Sequence, residues 1–305
     1  MNEANTDVVC IASWNADLIC RVPRPPARGE TLLARGFDIE PGGKGSNAAV
    51  ACARQGARVA LLARIGDDVF GRMAQALWAR EGIDATAVEV AAGERSGVAQ
   101  IWVYDDGDNS IAVAPGATAG LTAQHAEAAA PLLRGAKVVM ASCEVPLAVT
   151  AAAFAIARQA GVHTLLNPAP AVALPEFLWP LIDILTPNQS ELQVLAEVGG
   201  DSAAAARVLL ARGVRAVLVT LGAQGCALFE HDAPPRHWPG HAVPVADTIG
   251  AGDTFTGALA AALARGEPLD AAARWANAAA ALSVAGSGAL GGMPTRDAVA
   301  ALLSP

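Results

Sequence analysis

Through the middle of the chain, short all-apolar runs alternate with longer stretches whose apolar residues recur at helical spacing. Residues 136–141 (AKVVMA) read as a buried strand, 148–160 as a helix and 162–166 (VHTLL) as another strand. Residues 201–213 read as a helix, 214–220 (VRAVLVT) as a strand and 225–229 as its antiparallel neighbour. Two long Ala-rich helices follow, at about 251–265 and 269–284, and a short one ends the chain. No repeat of fixed period interrupts this order. Alternation of this kind predicts an α/β fold with a largely parallel sheet covered by helices on both faces. Ligands of such sheets bind beyond the carboxyl ends of the strands.

Two segments break the alternation. Residues 16–40 carry Pro23, Pro25, Pro26 and Gly29 among short extended runs, and 97–104 with 109–113 read as a hairpin around Asp105-Asp106-Gly107-Asp108. Neither fits a crossover helix. They are expected to form a small β-sheet attached to the main body as a lid over the site. No Ser-, Gly- or Pro-rich linker divides the chain, so residues 1–305 are read as one domain, with lid segments at about 16–40 and 97–113. Val98, Ile101, Val103, Ile111 and Val113 give the lid apolar positions on which a second copy could pack, so a homodimer through the lid is an expectation.

Composition narrows the function. Of 305 residues 53% are hydrophobic and 16% charged, enough apolar material for a sizeable core and too little charge for a disordered chain. A net charge of -8 argues against nonspecific nucleic-acid binding. The five cysteines (Cys10, Cys20, Cys52, Cys143, Cys226) are widely spaced with no C-x-x-C, which reads as reduced thiols in a cytoplasmic protein. His237 and His241 lie among prolines 234, 235, 239 and 244, where a metal-binding helix face is not expected. The N-terminus lacks a basic region followed by an apolar one, so no signal peptide is read. The Ala-rich stretches are broken by Arg, Asp or Gly short of membrane-spanning length, so no membrane partner is expected.

Three segments carry candidate chemistry. Asp247-Thr248-Ile249-Gly250-Ala251-Gly252-Asp253-Thr254-Phe255 lies between an extended segment and an Ala-rich helix. Gly250 and Gly252 let backbone N–H groups approach a ligand at a helix N-terminus, where the dipole favours a phosphate. Asp253, in the first turn, could accept a proton from an attacking hydroxyl or could simply cap the helix. Gly42-Gly43-Lys44-Gly45-Ser46-Asn47 precedes a helix starting near 47. It is not a P-loop, because Gly45 follows Lys44 and the glycine spacing differs. Its Lys and Asn suit a polyhydroxyl ligand, although a tight turn with a helix cap reads equally well. Asn15-Ala16-Asp17 follows the first strand and offers hydroxyl-binding groups there; alone, an ordinary strand-ending turn is the simpler reading. Gly286-x-Gly288-x-x-Gly291 matches the dinucleotide pattern, but it follows a helix and precedes Met293-Pro294, so a Rossmann dehydrogenase is discounted.

Taken together, in this order and spacing, these pieces resemble the ribokinase-like (PfkB) family of sugar kinases from about residue 8 to about residue 295. The signatures are GGKGSNAAVACARQGA at 42–57 and DTIGAGDTFTGAL at 247–259, the second being highly specific and the first, with Lys44, most similar to the ribokinase branch. The resemblance implies a three-layer αβα sandwich with a β lid. The activity it implies is ATP-dependent phosphorylation of a sugar primary hydroxyl, D-ribose to D-ribose 5-phosphate before deoxyribose, a hexose or a nucleoside. A sugar-binding regulator without activity is disfavoured because Asp253 and the 250–252 glycines are present.

It also assigns roles. Asn15, Asp17, Gly43, Lys44, Asn47 and Glu144 line the sugar site. Asp253 is the base, and the backbone of Gly250, Ala251 and Gly252 forms the anion hole. Asn188 lies near the ATP phosphates, Thr220, Gly222 and Gly225 border the nucleotide, and Asn277 lies beside adenine. Glu191 helps organise Mg²⁺ through water. Asp247, Ile249, Ser283, Gly286, Gly288 and Gly292 match the positions of an activating K⁺. Gly66-Asp67-Asp68 matches a further family motif whose role reads as structural. The chain departs from the pattern at Trp14, Gln100, Thr118, Asn277 and Gly292, which bears on sugar identity, nucleotide preference and the strength of K⁺ activation rather than on the catalytic apparatus.

Overall fold

The run Val8–Ala12 (β1) is apolar at every position, as a strand buried on both faces of a parallel sheet must be. Val8, Cys10 and Ala12 enter one core cluster, and Val9 and Ile11 the other. That split is the two-residue period of a strand read in three dimensions. The computed structural model describes residues 6–304; the polar residues 1–5, on which part of the signal-peptide reading rests, and Pro305 lie outside the described residues.

The remaining strands are β2 (Asn15–Arg21), β3 (Gly36–Gly42), β4 (Val59–Gly66), β5 (Asp84–Ala91), β6 (Gly97–Val103), β7 (Asn109–Ala114), β8 (Val138–Ser142), β9 (His163–Asn167), β10 (Ile184–Leu185), β11 (Ala216–Thr220), β12 (Cys226–Glu230) and β13 (Arg236–Trp238). A nine-stranded sheet runs β13-β12-β11-β10-β9-β8-β1-β4-β5. It is parallel from β11 to β5 and antiparallel at β12 and β13. The helices Leu147–Gln159 and Ser202–Ala211 pack on one face, and Lys44–Arg54, Ala251–Ala264 and Leu269–Ser283 on the other. The sheet is wider than the pattern alone predicts. The pattern does not predict β4, β5, β10 or β13; β5 is only partly buried, and β10 and β13 are too short to show a period.

A separate four-stranded sheet, β3-β2-β6-β7, is built from the two segments that broke the alternation. Asn15-Ala16-Asp17 is therefore not a strand-ending turn; it opens β2, so Asp17 sits within this second sheet. The register aligns Asp17 with Glu40 on β3 and Ala99 on β6. Gln100 pairs with Leu18 and so projects from the opposite face to Asp17, and it is exposed. A role for Gln100 in sugar choice, raised by its departure from the family pattern, does not fit that direction.

The helix expected near residue 47 begins earlier, at Lys44. It packs against Ala251–Ala264 across Gly257, where a Cβ would lie 2.2 Å from the Ala48 carbonyl oxygen. This close crossing sets the distance between Asn47 on one helix and Asp253 on the other. Gly257→Ala is expected to lower unfolding stability by about 1–3 kcal/mol, because the clash with backbone exceeds the ~1 kcal/mol gained in helix propensity. Urea denaturation checks this; an unchanged or raised midpoint would show that the helices can separate without cost.

Candidate active site

Every parallel strand near the sheet centre ends on one edge, and the candidate residues collect there. Asn15 follows β1, Glu144 follows β8, Asn188 follows β10, and Thr220 ends β11. Asn188 and Thr220 are joined by a parallel bridge, with Thr220 N–H donating to the Pro187 carbonyl.

The turn entering the Lys44–Arg54 helix is fixed by two side chains. Glu144 Oε2 accepts from the Ser13 hydroxyl at 2.7 Å and from Lys44 N–H at 2.8 Å. Gly45 N–H donates to Ser13 Oγ, and Ser46 N–H to the Ser13 carbonyl. These contacts satisfy the free N–H groups that a helix start leaves. Gly43, at φ 91° and packed on Ser13 and Trp14 backbone, takes a conformation that suits glycine. No motif in the sequence marks Ser13; only its place directly after β1 points to it.

The Ala251–Ala264 helix begins differently. Gly250, at φ 78°, turns the chain in against Ala289, and no side chain caps the helix. The N–H groups of Gly252 and Asp253 have no partner among the described residues. A Cβ on Gly252 would meet nothing within 4 Å. This terminus therefore offers N–H donors and dipole charge to an incoming anion. Thr256 Oγ donates to the Gly252 carbonyl and lies 3.3 Å from Thr186 Oγ, which ties the helix start to the segment carrying Asn188.

Asp253, 6% exposed, accepts from Asn47 Nδ2 at 3.0 Å. The Asn47 Oδ1 is buried and without a partner among the described residues, an acceptor left for a hydroxyl donor. Burial pushes the Asp253 carboxyl up to about 6; Lys44 and the Asn47 hydrogen bond oppose that, and Glu144 and Glu191 add to it. Asp17 is pushed up to about 7, by burial first and then by Glu144, Glu40 and Asp253, with Lys44 opposing. Burial alone would lower the Lys44 ammonium, but the carboxylates of Asp253, Glu144, Glu191 and Asp17 outweigh it and raise it. One cation thus serves a cluster of carboxylates. Gly42 makes room for it: a Cβ there would sit 2.2 Å from Asp17 Oδ1. Gly97 does the same for Asn15, at 2.4 Å from its Oδ1.

The remaining candidates are placed more loosely. Asn188 and Glu191 form a reciprocal capping box, Glu191 N–H donating to Asn188 Oδ1 and Asn188 N–H to Glu191 Oε2. Gly222 borders open space, whereas Gly225 lacks a Cβ because the Trp238 carbonyl lies against it. Asn277 spends its amide on the Pro239 carbonyl. Asp247 bridges two loops, accepting from Ile249 N–H and from Gly288 N–H. The Ser283 carbonyl fills the space of a Cβ on Gly292, so this backbone leaves no room there for a side chain. Gly288–Gly291 does form one helical turn, contrary to expectation, but it follows a helix and not a strand.

A central parallel sheet, a second sheet rising from its edge and a buried carboxylate under an open helix start define a carbohydrate-kinase architecture. A family profile described as pfkB family carbohydrate kinase matches residues 5–296, and the chain belongs to that family. It is 38% identical to a ribokinase of Haemophilus influenzae, over 94% of this chain and 95% of that one. It is 34% identical to a deoxyribokinase of Salmonella typhi, over 95% and 96%. The solved structure of Arabidopsis thaliana ribokinase, complexed with ribose and ATP, superposes with a TM-score of 0.93 at 32% identity, covering 98% of this chain and 99% of that one.

The shifted carboxyl has a thermodynamic consequence. Asp253 carries a folded-state value of about 6 against an ordinary 3.8, so the native state holds its proton longer than the unfolded chain. Stability therefore falls as pH rises from about 4 to about 6, and the penalty is complete above that. Asp253→Asn removes the charge and keeps the Asn47 contact. It is expected to raise Tm at pH 8 and leave it nearly unchanged at pH 4, as calorimetry at the two pH values would show. A Tm lowered at pH 8 would mean that the carboxylate stabilises the fold.

Proposed function

We propose that this chain transfers the γ-phosphoryl group of ATP to the primary hydroxyl of D-ribose, giving D-ribose 5-phosphate and ADP. The observation that carries this reading is the buried Asp253 carboxylate, held by Asn47 in the first turn of a helix whose N–H groups at 252 and 253 are open. An attacking hydroxyl gives its proton to Asp253 as its oxygen bonds to the γ-phosphorus, and the bond from that phosphorus to the bridging oxygen of ADP breaks. The open helix start stabilises charge on the moving phosphoryl group. Lys44 offsets the surrounding carboxylates. Asn15, Asp17, Asn47 and Glu144 supply hydroxyl partners, with Gly43 holding the turn beside them. Glu144 has one oxygen committed to the turn, so its second is the one open to sugar. Asn188, Thr220, Gly222, Gly225 and Asn277 border the nucleotide in this reading, and the four-stranded sheet acts as the lid of one kinase domain.

Ribose is favoured by the likeness to the Haemophilus ribokinase and to the Arabidopsis complex; deoxyribose is kept by the likeness to the Salmonella deoxyribokinase. An ADP-release assay over pentoses, hexoses and nucleosides should give ribose the highest kcat/KM, with deoxyribose as the nearest competitor. Asp253→Asn in the same assay should lower kcat at least ~100-fold, the loss expected for a general base. A hexose or nucleoside exceeding ribose tenfold, or a variant near wild-type turnover, defeats the proposal.

Mg²⁺ fits as a companion of the nucleotide. Among the described residues no group of three His, Cys, Asp or Glu is placed to hold a metal, and magnesium on phosphates needs only one or two protein carboxylates. Glu191 would serve, through water; the ion supplies charge neutralisation of the phosphates.

K⁺ fits the adjoining loops. Asp247 ties residues 247–252 to Gly288, and Ala246 and Asp247 N–H both donate to the Val284 carbonyl, so carbonyl-bearing segments lie side by side. The ligands would come from Asp247, Ile249, Ser283, Gly286, Gly288 and Gly292, mostly as backbone carbonyls. Rates at saturating substrates should be higher in KCl than in NaCl or tetramethylammonium chloride at equal ionic strength; equal rates in all three exclude K⁺ activation. Two further parts of the reading are a cytoplasmic location, in keeping with five free cysteines, and a homodimer through the lid, where Ile111 and Val113 are exposed. No helix among the described residues is long and apolar enough to cross a membrane.

A further inference from the structure

The Gly66-Asp67-Asp68 motif has no place in the chemistry above, yet Asp68 is 7% exposed and fully engaged. Its Oδ1 accepts from Gly71 N–H at 2.8 Å, capping the helix Val69–Arg80, and from the Ser96 hydroxyl at 2.7 Å. Its Oδ2 accepts from Ser96 N–H at 2.9 Å. The Ser96 hydroxyl in turn accepts from Gly66 N–H at 3.0 Å, at the end of β4. Burial alone would raise the carboxyl; the bonds from Ser96 and Gly71 outweigh it and hold it below the usual carboxylate range. Ser96 itself is 3% exposed.

Capping a helix needs only the bond to Gly71. The two bonds to Ser96 do something else, because Ser96 is the last residue before β6 enters the second sheet at Gly97. Gly97 lies against the Asn15 side chain, the Trp14 carbonyl and the Pro115 carbonyl. Gly116 packs on the backbone of Arg95 and Ser96, and Ala117 N–H donates to the Arg95 carbonyl. Three of the crossings between the two sheets, at Trp14–Asn15, Ser96–Gly97 and Pro115–Gly116, therefore meet at one point. The Asp68–Ser96 pair clamps that point to the edge of the main sheet.

We infer that Asp68 and Ser96 are positioning residues for sugar binding: through Gly97 they fix Asn15 and the root of the lid, while touching neither substrate. This rests on the functional reading above, in which Asn15 faces the sugar. Loss of the clamp leaves the nucleotide side, at β10 and β11, untouched. Its effect falls on sugar binding and not on ATP.

The test uses the full chain and initial rates with ribose and ATP varied separately, beside thermal unfolding. Ser96→Ala removes the hydroxyl bond to Asp68 and the bond from Gly66 but spares the cap between Asp68 and Gly71. It is expected to raise the ribose KM about 5- to 20-fold, the range set by losing one or two buried hydrogen bonds, with the ATP KM within about twofold. Ser96→Thr, which keeps the hydroxyl, should restore the ribose KM. If Ser96→Ala does not fold, Ser96→Cys, with a weaker donor of similar size, should show a smaller shift in the same direction. A ribose KM within twofold of wild type in the folded variant, with only Tm lowered, would make the clamp purely structural and overturn the inference. So would equal increases in both KM values. A wild-type chain that phosphorylates no sugar would instead overturn the functional reading, and the inference with it; an active wild type with an unmoved Ser96→Ala overturns the inference alone.

Discussion

A carboxylate at the start of a buried helix is expensive, and much of this structure exists to hold one there. Asp253 is out of water, with a single amide bond from Asn47 and the Lys44 ammonium to offset its charge. Water would stabilise the ionised group more cheaply. The protein instead raises its proton affinity toward the range in which a base is useful. Asp17, Glu144 and Glu191 make the charge harder to bear. An acidic pocket with one lysine is a poor host for a bare polyphosphate and a reasonable one for polyphosphate already neutralised by a divalent cation.

The distances follow from backbone contact more than from side-chain choice. Gly257 lets two helices touch, which brings Asn47 to Asp253. Gly42 and Gly97 clear volume for the Asp17 and Asn15 side chains. These positions carry no chemistry, yet each decides where a chemical group stands. The two helix starts show the same economy. One is closed by Glu144 and Ser13 and gives a rigid turn; the other is left uncapped by any side chain, with its N–H groups at 252 and 253 open among the described residues.

Much of this was legible in one dimension. The alternation of apolar runs with Ala-rich helices pointed to the parallel sheet, and the two segments that broke it pointed to the second sheet. The helices at 251–265 and 269–284 lie within a residue or so of their observed bounds. Residues named for chemistry lie at one edge: Asp17, Lys44, Asn47, Glu144 and Asp253 are linked by hydrogen bonds or by their mutual charges, and Asn15 opens the strand that carries Asp17. The misreadings were local. Taken alone, Asn15-Ala16-Asp17 has the signature of a strand-ending turn, because a chain leaving one sheet for another looks locally like a chain ending a strand. Gln100 looked like a candidate for sugar choice because sequence position says nothing of which face a strand turns to the site.

The sequence by itself determined the α/β alternation, the family and the residue types at the site, because period, composition and motif spacing are properties of the chain alone. Only the tertiary structure decided which of those residues are free to act. Glu144 and Glu191 are both partly spent on helix starts, Asn277 on a loop carbonyl and Asp247 on joining two loops. It also decided that Asp68, which reads as scaffolding, is bonded to the residue at the root of the second sheet. A hydrogen-bond partner 28 residues away, or 206 in the case of Asn47 and Asp253, is fixed by how sheets and helices pack, and no local pattern encodes it.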